Sequence, residues 1–86
     1  MPPKLDPRTR RAAVEIGEHI RAARLAAGIS QEALATKIGM TRGNYSRLEA
    51  GLTNVTIDSL RRIADGLGLA LTIQLEPGSR SSSRRS

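Results

Sequence analysis

The chain contains no cysteine, no phenylalanine, no tryptophan and a single tyrosine, Tyr45. The lack of cysteine excludes disulfide frameworks, thiol nucleophiles and thiolate metal sites, and nothing points to an oxidising compartment. Without large aromatics, a core has to be assembled from Leu, Ile, Val and Ala, which suits closely packed helices. No apolar run approaches the roughly 20 residues of a membrane span. The N-terminal MPPKLDPRTRR has no apolar centre of the kind a signal peptide carries, so a soluble cytoplasmic protein is expected. Catalytic equipment is missing too. The one histidine, His19, has no partner at metal-ligand spacing, and there is no Ser/His/Asp set or phosphate-binding glycine loop. No enzyme activity, cofactor or metal is expected.

What is present is a short, basic chain. Its 86 residues allow one small domain with a thin core, and such domains often gain stability by associating. The formal net charge of +6 is unevenly placed: residues 1–11 and residues 77–86 each carry +3, and the middle sums to zero. In that middle, Arg21, Arg24, Lys37, Arg42, Arg47, Arg61 and Arg62 are matched by seven carboxylates. A basic surface in the folded part therefore requires the two signs to be segregated, while the ends add a general attraction for polyanions.

Pro2, Pro3 and Pro7 argue for a non-helical basic arm over residues 1–11, with helical pattern beginning near Arg8 or Thr9 and placing Val14 or Ile16, Ile20, Ala23 and Ala27 on one face up to Gly28. Gly17 weakens this helix unless a close crossing needs it. Ser30, Thr41 and Thr56 are well placed as N-caps of three further helices, and Gly39, Gly51 and Gly68 as their terminators. The last helix is expected to turn Ile57, Leu60, Ile63, Ala64 and Leu67 inward. The folded unit is thus expected over residues 12–68. From Leu69 to Glu76 the period changes to two, with Leu69, Leu71, Ile73 and Leu75 alternating with more polar residues, so a strand is expected over 69–76. No second strand exists to receive it, and pairing with the same strand of a second copy is the sensible resolution. The Ser/Arg tail over 77–86 has the composition of disorder.

Residues 31–50 carry the decisive pattern. A short helix, a turn at Gly39 that favours a left-handed backbone, and a second helix starting after Thr41 amount to a helix-turn-helix, with Leu34, Ala35, Ile38, Met40, Tyr45 and Leu48 available between the helices. The stretch SQEALATKIGMTRGNYSRLEAG, followed by TIDSLRRIADGLGL, closely resembles the xenobiotic-response-element family of helix-turn-helix DNA-binding proteins, the group of the lambdoid repressors and Cro. The resemblance covers about residues 12–68 and implies an all-α, lambda-repressor-like bundle of four to five helices.

The resemblance also implies roles. If Tyr45 and Leu48 face inward, then Arg42, Gly43, Ser46 and Arg47 form the face that enters the major groove, with Thr41 and Asn44 at its border. Either arginine suits a guanine edge, and a phosphate contact suits each about equally well. Gln31 is expected at a phosphate and as a brace for the groove-facing side chains, with a plain surface position as the alternative, and Thr53, Asn54 and Thr56 either at the opposite stretch of backbone or in turn and capping roles. Arg24 and Glu49 are expected to pair and tie the first helix to the recognition helix. Tyr45 stands where the family usually has a β-branched residue and is expected to plug the core with its hydroxyl near the DNA backbone. The implied function is a double-stranded-DNA-binding transcriptional regulator, a homodimeric repressor or autoregulator. The alternative is an antitoxin that sequesters a protein toxin, of the kinase type for instance, and represses its own operon.

Overall fold

The computed structural model describes residues 5–77. Four helices follow one another: α1 (Pro7–Ala26), α2 (Gln31–Ile38), α3 (Arg42–Glu49) and α4 (Ile57–Gly66). Each begins at a side chain that accepts from a free amide of the first turn. Ser30 caps α2 through Ala33 N at 3.0 Å, Thr41 caps α3 through Asn44 N at 3.1 Å, and Thr56 caps α4 through Ser59 N at 3.0 Å. Gly39 and Gly51, with φ of 76° and 75°, turn the chain sharply after α2 and α3, a conformation that costs other residues a steric penalty.

The start of α1 departs from expectation. Asp6 accepts from Arg8 N at 3.1 Å, and Pro7 occupies the first turn, where its missing N–H is no loss. Pro7 therefore opens the helix instead of barring it, and Arg8, Arg10 and Arg11 stand exposed on its first turns rather than in an arm. Residues 1–4 lie outside the described residues. The buried side of α1 is Ala13, Gly17, Ile20 and Arg24, so the face is set by a glycine and an arginine as well as by apolar spacing. Gly17 is the close crossing: a Cβ there would come within 2.2 Å of the Glu49 carbonyl oxygen, so α1 and α3 touch backbone to backbone.

Ile20, Leu34, Ala35, Ile38, Tyr45, Leu48 and Ile63 form the core, with Leu34 and Tyr45 fully buried. Fully burying a side chain such as Leu34 is worth about 1.5–3 kcal/mol, so α2, which supplies three of these residues, is the centre of the bundle. Leu60 and Leu67 pack against this core from α4 as expected, but Ile57 does not join them and is 63% exposed. It is the first residue of α4, and the inward stripe begins only at Leu60.

The expected C-terminal strand is absent: residues 69–76 have no regular secondary structure. Leu69, Leu71, Ile73 and Leu75 are 50, 37, 59 and 97% exposed. The alternation is genuine, yet a strand needs a neighbouring edge to satisfy its backbone, and the described residues contain no other strand. The fold of the single chain is all-α, and strand pairing across a dimer has no support in it. Most of the tail, residues 78–86, lies outside the described residues.

Candidate nucleic-acid interface

Helix α3 has two dissimilar sides. On its inner side Tyr45, Leu48 and Glu49 are buried; on its outer side Arg42, Gly43, Asn44 and Arg47 are exposed, with Ser46 partly so. For Gly43, Asn44, Ser46 and Arg47 this division follows from helical spacing, since residues 45, 48 and 49 fall within one arc; Arg42 lies along the same line as Glu49 and is exposed because it begins the helix.

The inner side is organised around the Glu49 carboxylate, whose two oxygens each accept two hydrogen bonds. Arg24 Nε donates to Oε2 at 2.8 Å and Arg24 Nη2 to Oε1 at 3.1 Å. Tyr45 Oη donates to Oε2 at 2.6 Å and Gln31 Nε2 to Oε1 at 2.7 Å. The remaining Arg24 Nη1 donates to the Ile29 carbonyl at 2.9 Å, which secures the turn before α2. The expected pair of Arg24 and Glu49 thus forms, and it is buried. Burial pushes the Glu49 carboxyl upward, but the hydrogen bonds from Arg24, Tyr45 and Gln31 outweigh it, and the group sits below the usual glutamate range. The same contact with Glu49 raises Arg24, and burial together with the bond to Glu49 raises the Tyr45 hydroxyl.

One expectation changes here. The Tyr45 hydroxyl does not lie near the outer surface; the side chain is fully buried and its hydroxyl is spent on Glu49, one helical turn further on. Gln31 spends one amide N–H on Glu49, which leaves its second N–H and its amide oxygen for other partners. The convergence of Gln31, Tyr45 and Arg24 on one carboxylate joins three helices. The sequence signal for it was the four-residue spacing of Tyr45 and Glu49 on one face.

The outer side carries the charge. Of the seven basic residues in the middle of the chain, Arg24 is tied to Glu49, Arg61 lies between Asp58 at 3.2 Å and Asp65 at 2.9 Å, and Arg62 bonds the Ile38 carbonyl at 2.9 Å beside Asp58. Among the described residues, Arg42 and Arg47 of α3 have no carboxylate partner, as Arg21 and Lys37 have none elsewhere; both arginines of α3 are exposed, while the only acid of that helix is turned inside. The required segregation of charge is therefore achieved by burying Glu49. Gly43 has open space around it, with nothing within 4 Å of where a Cβ would stand.

Around α3 the other expected residues divide. Thr53 and Asn54 lie in the loop after it, partly and fully exposed, and border a cavity of about 290 Å³ shared with Asn44, Arg47, Val55 and Ser59. The Thr41 hydroxyl accepts from Asn44 N, and the Thr56 hydroxyl both accepts from Ser59 N and donates to Ser59 Oγ at 3.0 Å. Thr56 is thereby committed to capping α4. Among the described residues there is no group of His, Asp or Glu arranged to hold a metal, and no helix long and apolar enough to cross a membrane.

The sequence and the fold are similar to those of known proteins. The sequence model of the helix-turn-helix family matches residues 20–74. The control protein C.MunI of Mycoplasma sp is 41% identical over 44 residues, which are 51% of this chain and 60% of that protein. The chain thus spans less than two thirds of that curated relative. Among solved structures, a mutant of the restriction–modification controller protein C.Esp1396I is 34% identical with a TM-score of 0.65, covering 67% of this chain and 77% of that one. The restriction–modification controller protein C.AhdI from Aeromonas hydrophila is 32% identical with a TM-score of 0.68, over 70% and 87% of the two chains. The clp gene regulator ClgR from C. glutamicum, 24% identical with a TM-score of 0.64 over 83% and 85%, shares the fold. The helix-turn-helix at α2 and α3, its buried Arg24–Glu49 tie and these matches agree: the chain belongs to the lambda-repressor and Cro-like helix-turn-helix family of DNA-binding regulators.

Proposed function

We propose that the chain binds double-stranded DNA sequence-specifically as a homodimer and acts as a repressor or autoregulator of transcription, with α3 seated in the major groove. The observation that carries this is the outer face of α3, where Arg42 and Arg47 stand without acidic partners on a helix whose other side is locked into the core. Arg42, Gly43, Asn44, Ser46 and Arg47 form the central surface, with Thr41 and Gln31 at one margin and Thr53 and Asn54 at the other. Two copies would set their recognition helices about 34–36 Å apart and read half-sites one turn of DNA apart. The exposed apolar residues Ile57, Leu69, Leu71, Ile73 and Leu75 are the surface we assign to contact between the copies.

Control of a restriction–modification system is the setting that its relatives suggest, since two of them are controllers of that kind. A restriction endonuclease gene and a methyltransferase gene beside this one would support that setting, and a toxin gene there would restore the antitoxin alternative, which gains no support from these relatives. The direct test is fluorescence anisotropy with duplexes selected from a random pool. Affinity should fall steeply with salt, by about 0.9 in the log–log slope for each phosphate neutralised. Salt-insensitive binding, or selection that enriches no sequence, would refute the proposal.

A further inference from the structure

The two arginines of α3 are not equivalent. Arg47 is held against its own helix: its Nη2 donates to Asn44 Oδ1 at 2.6 Å, one turn back along α3. It forms part of the wall of the cavity of about 290 Å³, together with Asn44, Thr53, Asn54 and Ser59. The polar groups around this cavity are a guanidinium, two side-chain amides and two hydroxyls, and no carboxylate borders it. Because the Asn44 oxygen is engaged by Arg47, its amide N–H groups are what it offers to a ligand. The wall is therefore rich in donors and carries one net positive charge, a chemistry that fits a phosphate, which presents acceptors only. Its place also fits, because the cavity lies to one side of α3, and a helix seated in the major groove has the DNA backbone along its flanks and base edges in front of it.

Arg42 is placed otherwise. It is the first residue of α3, exposed, and among the described residues its side chain makes no hydrogen bond or ion pair. Residues at the start of a recognition helix are the ones that meet base edges. Its neighbour Gly43 carries no side chain, so nothing beside Arg42 competes for the groove floor.

We propose that the arginines divide the DNA between them, Arg42 reading a base edge and Arg47, braced by Asn44, holding a backbone phosphate in the cavity beside α3. This assignment rests on the DNA-binding function proposed above. A guanidinium already fixed by Asn44 gives up less freedom on binding, which suits a contact that sets register and carries no sequence information.

The test compares wild type, Arg42→Ala, Arg47→Ala and Asn44→Ala on two probes, a duplex enriched by wild type from a random pool and an unselected duplex of equal length, each over a range of salt. Helical circular dichroism confirms that each exposed-site variant remains folded. Arg42→Ala should weaken the enriched duplex by about 5- to 150-fold and the unselected one far less, so that discrimination collapses. Arg47→Ala should weaken both duplexes by the same factor, reduce the salt slope by about 1, and leave their ratio unchanged. Asn44→Ala should follow Arg47→Ala in kind, with a smaller loss. Loss of discrimination in Arg47→Ala, or its retention in Arg42→Ala, would overturn the division of roles while leaving DNA binding intact. Failure of wild type to bind either duplex would instead remove the underlying function, and the division with it.

Discussion

The two sides of α3 differ in how tightly they are held. The inner side ends in a carboxylate with four hydrogen bonds drawn from three helices, and Gly17 brings α1 into backbone contact with the same residue. Among the described residues the outer side has a single hydrogen bond between two side chains, from Arg47 to Asn44. A short helix of eight residues has little stability of its own. Its orientation is imposed from within, and that leaves the outer residues free to be chosen for what they meet.

If this contrast is correct, changes on the inner side should act through the fold and changes on the outer side through binding. Glu49→Ala is the severest case. It leaves Arg24 buried and without its carboxylate, and a loss of about 3–5 kcal/mol is expected in chemical denaturation. Gly17→Ala forces a methyl group against the Glu49 carbonyl; the helices must part, at a cost of about 1–3 kcal/mol even though alanine is the better helix former. Tyr45→Phe keeps the packing and removes one donor from a charged acceptor, so about 1.5–3 kcal/mol should be lost, with specificity retained if the helix stays in place. A Tyr45→Phe protein as stable as wild type would show that the hydroxyl adds nothing to packing.

Acid sharpens the same contrast. The folded Glu49 carboxyl lies below its ordinary value, so its contribution is complete above the unfolded value of about 4.3 and is lost as the pH falls through the folded one. Thermal melts should therefore show a decline in stability below about pH 4.3 that is shallower in Glu49→Gln. The smallest effect is expected at Gly43→Ala. The open space accepts a methyl group, and helix propensity favours it by up to about 1 kcal/mol. A more stable variant that binds DNA less well would show that the backbone at Gly43 comes close to the duplex.

Much of this was legible beforehand because caps and terminators are local. Ser30, Thr41 and Thr56 each need only an amide three residues on, and Gly39 and Gly51 only a positive φ, so the sequence positions of the helices followed from short-range chemistry. The exposure of Gly43, Asn44 and Arg47 follows from helical spacing because Tyr45 and Leu48 face inward. What depended on distant partners was not legible. The direction of the Tyr45 hydroxyl and the use of the Gln31 amide depend on where Glu49 sits in space, and Gly17 could not announce which backbone it meets. The segment from Leu69 to Leu75 had the period of a strand, but period alone does not supply the second edge that a ladder needs.

Gly43 stands exposed on a helix that is steered from the opposite side, with nothing within 4 Å of where a Cβ would stand. A side chain introduced there would alter what the protein recognises without asking the core to repack. On the proposed DNA-binding reading the glycine is a vacancy in the recognition surface, and a single codon change there would add a new contact while the fold stays as it is.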